Sequence, residues 1–185
     1  MEWKVLSSEY LSDHPYFKAR RDRCEMPDGR IVESYFVVEL PVSVCALAIT
    51  EDGDVVMARQ YRHPVGKTLL EIPGGFIDPN EDPAEAVKRE LLEETGYAFS
   101  EVVYAAKIAA NPGVLSNYTY CYLALGGKKV AQQQLDQQEE IDVELIPVET
   151  VRSMLWNNEF DQALHATCLF YAFQVYDKRS VSSMI

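Results

Sequence analysis

The chain has 185 residues, 48% of them hydrophobic, and a formal net charge of −12, so it is long enough to bury a substantial core as one domain or one domain with an appended subdomain. That charge disfavours general affinity for nucleic acid or for anionic membrane, because the long-range field repels both. No apolar run approaches the roughly 20 residues needed to span a bilayer, and the four cysteines, widely spaced with no C-x-x-C pair and no signal-like N-terminus, predict reduced thiols in a cytoplasmic protein.

The first 40 residues alternate in a strand-like way, with Pro27, Asp28 and Gly29 as the turn of a hairpin between "YFKARRDRC" and "RIVESYFVVEL". Pro41 marks a boundary, after which "VSVCALAIT" and "DVVMARQYR" predict two strands of a main sheet around the turn cluster "EDGD". "TLLEIPGGFID" predicts a strand entering a Gly-rich loop, followed by a helix from about Pro83 to Thr95. Three further strands are expected in "EVVYAAKIAA", "NYTYCYLALGG" and "IDVELIPV", then helices over Val148 to Asn157 and Asp161 to Lys178. Strands with few helices and tight turns point to an α+β or layered α/β/α domain. On the last helix, Leu164, Cys168, Phe170 and Tyr171 are expected in the core, with Trp156 anchoring the helix before it.

The helix after the glycines is delimited by its own chemistry. Asp82 suits the N-cap, Pro83 the first helical position, Glu85 the closing side of a capping box, and Gly96 the left-handed stop. At 100° per residue, Glu90, Glu93 and Glu94 fall within an arc of about 100°, while Ala84, Val87 and Leu91 share another face. Like charges at this spacing destabilise a helix by a few tenths of a kcal/mol per pair, and two of them sit near its negative end. Glutamate runs are ordinarily solvated surface. Here Gly74 and Gly75 precede the helix and permit close backbone approach, and hard divalent cations take oxygen ligands such as these.

Gly75, five residues, Glu81, seven residues and then "RELLEETGY" from Arg89 to Tyr97 resemble the Nudix box, G-x5-E-x7-R-E-U-x-E-E-x-G-U, with Tyr97 in place of the usual last aliphatic residue. Seven fixed identities at roughly 7% each would coincide in a chain of this length on the order of once in a million sequences. The resemblance implies an α/β fold, the Nudix-type α/β/α sandwich with a mixed sheet over residues 41–185, preceded by an N-terminal antiparallel β subdomain over residues 1–40 that builds a homodimer. It implies hydrolysis of a nucleoside diphosphate linked to another moiety, with Mg2+ or Mn2+ as cofactor. Glu90 and Glu94 are then metal ligands, Glu93 a further ligand or water contact, the Gly74 carbonyl a backbone ligand, Arg89 an orienting group and Glu81 structural. The general base is left open between Glu93 and the acidic loop "DQQEEIDVELIP", where Glu139 and Glu140 are the candidates.

Further features resemble the branch that cleaves ADP-ribose and nucleoside diphosphate sugars. "ARQYRHPVG" implies a substrate contact by Arg62 and a weaker one by Gln60, and "LLEIPGGFID" one by Glu71 to substrate or metal. Tyr16 and Phe17 match the aromatic position for the nucleobase, and Pro112 lies 15 residues beyond Tyr97. The chain departs from the branch at Asn117, which stands where an acidic residue is usual and is expected to alter contacts to the distal sugar. The implied partner is a small nucleoside diphosphate sugar. Alternatives that keep the box are a nucleoside triphosphate, a dinucleoside polyphosphate or a capped RNA end; a nucleotide-sugar sensor is the alternative without catalysis. His14, His63 and His165 show no metal-ligand spacing and receive no catalytic role.

Overall fold

The computed structural model describes residues 1–14 and 17–182. They form two units. The first contains Met1–Val42 together with Ala109–Tyr118. Its strands β1 (Lys4–His14), β2 (Phe17–Glu25) and β3 (Ile31–Glu39) pair antiparallel in that order. The turn at Pro27 to Gly29 is formed as the hairpin chemistry predicts, with Gly29 at a φ of 82°. Ala109–Tyr118 was expected with the second domain, yet it joins β3. Val38 donates its N–H to the Val114 carbonyl at 2.8 Å and accepts from Ser116 at 3.1 Å, because an edge strand leaves such groups open to any extended segment.

The second unit is a seven-stranded mixed sheet with helices on both faces. Its strands are β4 (Ser43–Thr50), β5 (Asp54–Arg62), β6 (Lys67–Glu71), β7 (Tyr97–Ala98), β8 (Glu101–Ile108), β9 (Thr119–Lys129) and β10 (Ile141–Pro147). Its helices are α1 (Pro83–Thr95), α2 (Val148–Trp156) and α3 (Ala163–Ser182). The pairing β4–β9 is parallel and the other pairs are antiparallel.

Strand β4 is the centre, and its near-continuous apolar run reflects burial on both faces. Val44, Ala46 and Ala48 point to the layer beneath α1, where Val87 and Leu91 pack. Cys45, Leu47 and Ile49 point to the opposite layer, closed by Val151 of α2 and by Cys168, Leu169, Ala172 and Phe173 of α3. All four cysteines are free and buried, and the sulfurs of Cys45, Cys121 and Cys168 lie within 4.8 Å of one another in this second layer.

The helices differ from expectation in detail. Asp82 caps α1 by accepting from the Ala84 N–H at 2.8 Å, and Gly96 ends it at a φ of 72°. The capping box does not close through Glu85, whose carboxylate is taken by Lys88 at 2.7 Å. On α3, Cys168 is buried as expected. Phe170 and Tyr171 are exposed, because the buried stripe runs through His165, Cys168, Leu169, Ala172 and Phe173. Trp156, expected as an anchor, is 62% exposed and meets Phe170 edge to face. No helix among the described residues is long and apolar enough to cross a membrane.

Candidate active site

The loop between β6 and α1 is pinned against β4. Ala46 donates to the Pro73 carbonyl at 3.2 Å and Val44 to the Gly75 carbonyl at 2.9 Å, which leaves the intervening Gly74 carbonyl outside those bonds. Gly74 has a φ of 155°, and a Cβ there would lie 2.2 Å from the Val44 carbonyl oxygen. At Gly75 a Cβ would lie 2.5 Å from the Glu90 carboxylate. Gly74 therefore lets the loop lie tight against β4, and Gly75 lets it pass directly over Glu90 on the acidic face of α1.

On that face one arginine organises the acids. Arg89 forms two parallel bonds to Glu81 at 2.9 Å and reaches Glu90 at 2.9 Å and Glu93 at 3.0 Å. Its bidentate grip holds the Glu81 carboxyl down at about 2. Glu94 accepts from the Gly74 N–H at 2.9 Å. Burial is the main cause that raises Glu90 to about 6 and Glu94 to about 8, with neighbouring acids adding to both. This all-oxygen donor set, partly desolvated and with Arg89 bridging only Glu90 and Glu93 of its three carboxylates, fits a hard divalent metal ion.

The chain after β9 is stitched to the end of α1, which brings the acidic loop to the same place. Gly96, Glu93 and Glu94 give their carbonyls to Ala131 at 3.1 Å, Gln134 at 2.8 Å and the Gln133 side chain at 2.7 Å. These bonds satisfy helix-end acceptors. Glu139 then accepts from the Asp136 N–H at 3.0 Å and lines a cavity of about 780 Å³ with Glu90, Glu93, Glu94, Arg62 and Gln60.

Other expected residues are placed differently. Glu140 is exposed and is not on the cavity wall. Glu71 is only 1% exposed; it sits behind Arg62, whose Nε lies 3.0 Å from its carboxylate. Phe17 is exposed and belongs to the first unit, and Tyr16 lies outside the described residues. Asn117, also of the first unit, donates to the Pro41 carbonyl at 2.9 Å, while its buried side-chain oxygen has no partner among the described residues.

Gln162 and His165 were missed. Gln162 donates to Glu71 at 2.8 Å, and the Nδ1 of His165 lies 4.0 Å from the same carboxylate. Both line the cavity. The available signal was a histidine on the apolar stripe of α3, since a polar side chain on a buried face needs a reason.

Residues 39–166 match the model of the NUDIX domain. The chain belongs to the Nudix family. Residues 3–38 of this Nudix hydrolase match the N-terminal domain of nucleoside diphosphate sugar hydrolases. It is 34% identical to the methanol dehydrogenase activator of Bacillus methanolicus over 77% of each chain. It is 26% identical to the ADP-ribose pyrophosphatase of Bacillus subtilis over 92% of each chain. It is 34% identical to that of Mycobacterium tuberculosis, covering 75% of this chain and 67% of the relative. A crystal structure of an ADP compounds hydrolase superposes with a TM-score of 0.84 over 97% of this chain and 96% of that one, at 20% identity, and shares the fold.

Proposed function

We propose that this Nudix hydrolase cleaves the pyrophosphate bond of ADP-ribose or a related nucleoside diphosphate sugar, giving a nucleoside monophosphate and a sugar phosphate. The observation that carries the reading is the cavity itself, where Glu90, Glu93, Glu94 and Glu139 share one wall system with Arg62. The match of residues 3–38 and the names of the relatives support the substrate class.

Glu90, Glu94, Glu93 and the Gly74 carbonyl would hold Mg2+ or Mn2+. A bound divalent ion supplies charge screening and Lewis acidity at the diphosphate. Arg62 binds a diphosphate oxygen, with Gln60 beside it. Glu139 takes the proton of the attacking water, since it reaches the cavity and Glu140 does not. Arg89 keeps Glu90 and Glu93 in place and contributes no contact to substrate. Exposure of Val5, Leu11, Phe17 and Phe36 on the first sheet supports a homodimer, testable by light scattering after size exclusion. Four free buried thiols support a reducing, cytoplasmic setting.

The test is a substrate panel of ADP-ribose, GDP-mannose, UDP-glucose and nucleoside triphosphates with Mg2+; ADP-ribose or one of the sugars should be preferred, and turnover of none would end the reading. In Glu94→Gln, the isosteric amide keeps an acceptor for the Gly74 N–H and cannot ionise to bind a cation. Turnover should fall by about 10³ or more while the melting temperature without metal is not lowered. Full activity in this variant would remove Glu94 from the metal set.

A further inference from the structure

Arg62 presents its guanidinium to Glu71 by one edge. Its Nε lies 3.1 and 3.0 Å from the two carboxylate oxygens, and its Nη2 bonds the same group. A guanidinium is a planar fork with donors on more than one edge. Holding the Nε–Nη2 edge inward leaves the edge carrying Nη1 for the cavity, which Arg62 lines. The position of that free edge depends on Glu71, a carboxylate that is almost fully buried.

Glu71 is itself met by the residue that precedes α3 and by the first turn of that helix. Gln162 donates to its Oε1 at 2.8 Å, and His165 faces its Oε2 with Nδ1 at 4.0 Å. That Nδ1 is buried with no hydrogen-bond partner among the described residues. The carboxylate is the acceptor next to it, so the tautomer with the proton on Nδ1 is the one that avoids two facing lone pairs. A small closure of the 4.0 Å gap then gives Glu71 a third donor residue, after Arg62 and Gln162.

We infer that Gln162 and His165 are positioning residues, acting through Glu71 to aim the free edge of Arg62 at an oxygen of the substrate diphosphate. Neither touches substrate. The inference rests on the assignment of Arg62 to the diphosphate under the proposed function. Its specific consequence is a binding effect, because an arginine that meets the diphosphate before and during reaction contributes to substrate and transition state alike.

The experiment measures ADP-ribose kinetics and ADP binding by calorimetry for Gln162→Leu, His165→Phe and His165→Asn, alone and in an Arg62→Ala background, with thermal melts as the check on folding. Gln162→Leu and His165→Phe should raise KM about tenfold with kcat changed less than about twofold. His165→Asn, which keeps a donor where Nδ1 stood, should return KM to within about twofold of the parent. In the Arg62→Ala background the Gln162 and His165 substitutions should have no added effect, since coupled residues are non-additive. A purely structural role would instead lower kcat and melting temperature together and persist without Arg62, which would overturn the inference. Unchanged KM in the folded His165→Phe and Gln162→Leu chains would overturn it too. If the parent turned over no ADP-ribose while ADP binding still fell with the α3 variants and depended on Arg62, the substrate reading would fail and the positioning role would stand.

Discussion

His165 enters the fold as a neutral side chain. Burial is the largest influence on it and pulls its pKa from 6.5 down to about 4, with Glu71 opposing and Arg62 assisting. The unfolded chain therefore binds a proton near pH 6.5 that the folded chain refuses until about pH 4. The stability this residue contributes is complete above pH 6.5 and is lost as pH falls through that window, up to about 3 kcal/mol. Urea unfolding of the parent and of His165→Phe at pH 7 and at pH 4.5 isolates the effect, because other acid-titrating groups are common to both chains. The parent should lose more stability than the variant on acidification; equal losses would show that His165 is not buried neutral. The sequence offered little warning of this. Its three histidines are far apart along the chain, and although His165 falls at helical spacing with Cys168, Leu169 and Ala172, that spacing does not say which arc of α3 meets the sheet. Glu90, Glu93 and Glu94, by contrast, were readable because helical geometry converts their spacing into one face without reference to the rest of the fold.

At the level of elements, the Gly74–Gly75 loop and α1 act as one device, and their two glycines fail in different ways. A Cβ at Gly75 meets only the end of the flexible Glu90 side chain, at 2.5 Å. Gly75→Ala should therefore leave folding stability within about 1 kcal/mol while pushing Glu90 aside, so that Mg2+ dependence shifts to higher concentration. At Gly74 the Cβ meets backbone, 2.2 Å from the Val44 carbonyl, at a φ of 155°. Gly74→Ala should cost about 2 kcal/mol or more, since neither β4 nor the loop can give way easily. Thermal melts with a metal titration separate the two outcomes, and equal destabilisation by both would refute the distinction. Sequence alone placed α1 well, because the signals at Asp82, Pro83 and Gly96 are local. It placed the face of α3 less well. Phe170 and Tyr171 share a helix with the buried stripe, but which arc meets the sheet is decided by β4 and β9, whose Cys45 and Cys121 are far away in sequence.

For the whole molecule, the consequential difference is that the N-terminal unit is discontinuous. A single cut at residue 40 is natural from the sequence, where Pro41 separates two strand patterns. Ala109–Tyr118 has no strong periodicity, and its place beside β3 follows only from long-range pairing. It is held there by the Val38 bonds to Val114 and Ser116, by Tyr35 Oη donating to Gly113 at 3.2 Å, and by Asn117 donating to Pro41. Both hydrophobic clusters, in contrast, are drawn entirely from the second unit. A chain beginning at Ser43 should thus keep a cooperative thermal transition, because the sheet and its helices retain their core. It should at the same time expose 109–118, whose backbone partners are gone. Chymotrypsin should cut this truncated chain first after Leu115 or Tyr118, at least about tenfold faster than in the full chain. Added peptide 1–42 should slow the cut by restoring β3. If the truncated chain resisted cleavage there as well as the full chain does, the β3 contacts would not be what orders the segment, and the single cut at residue 40 would describe the domains better.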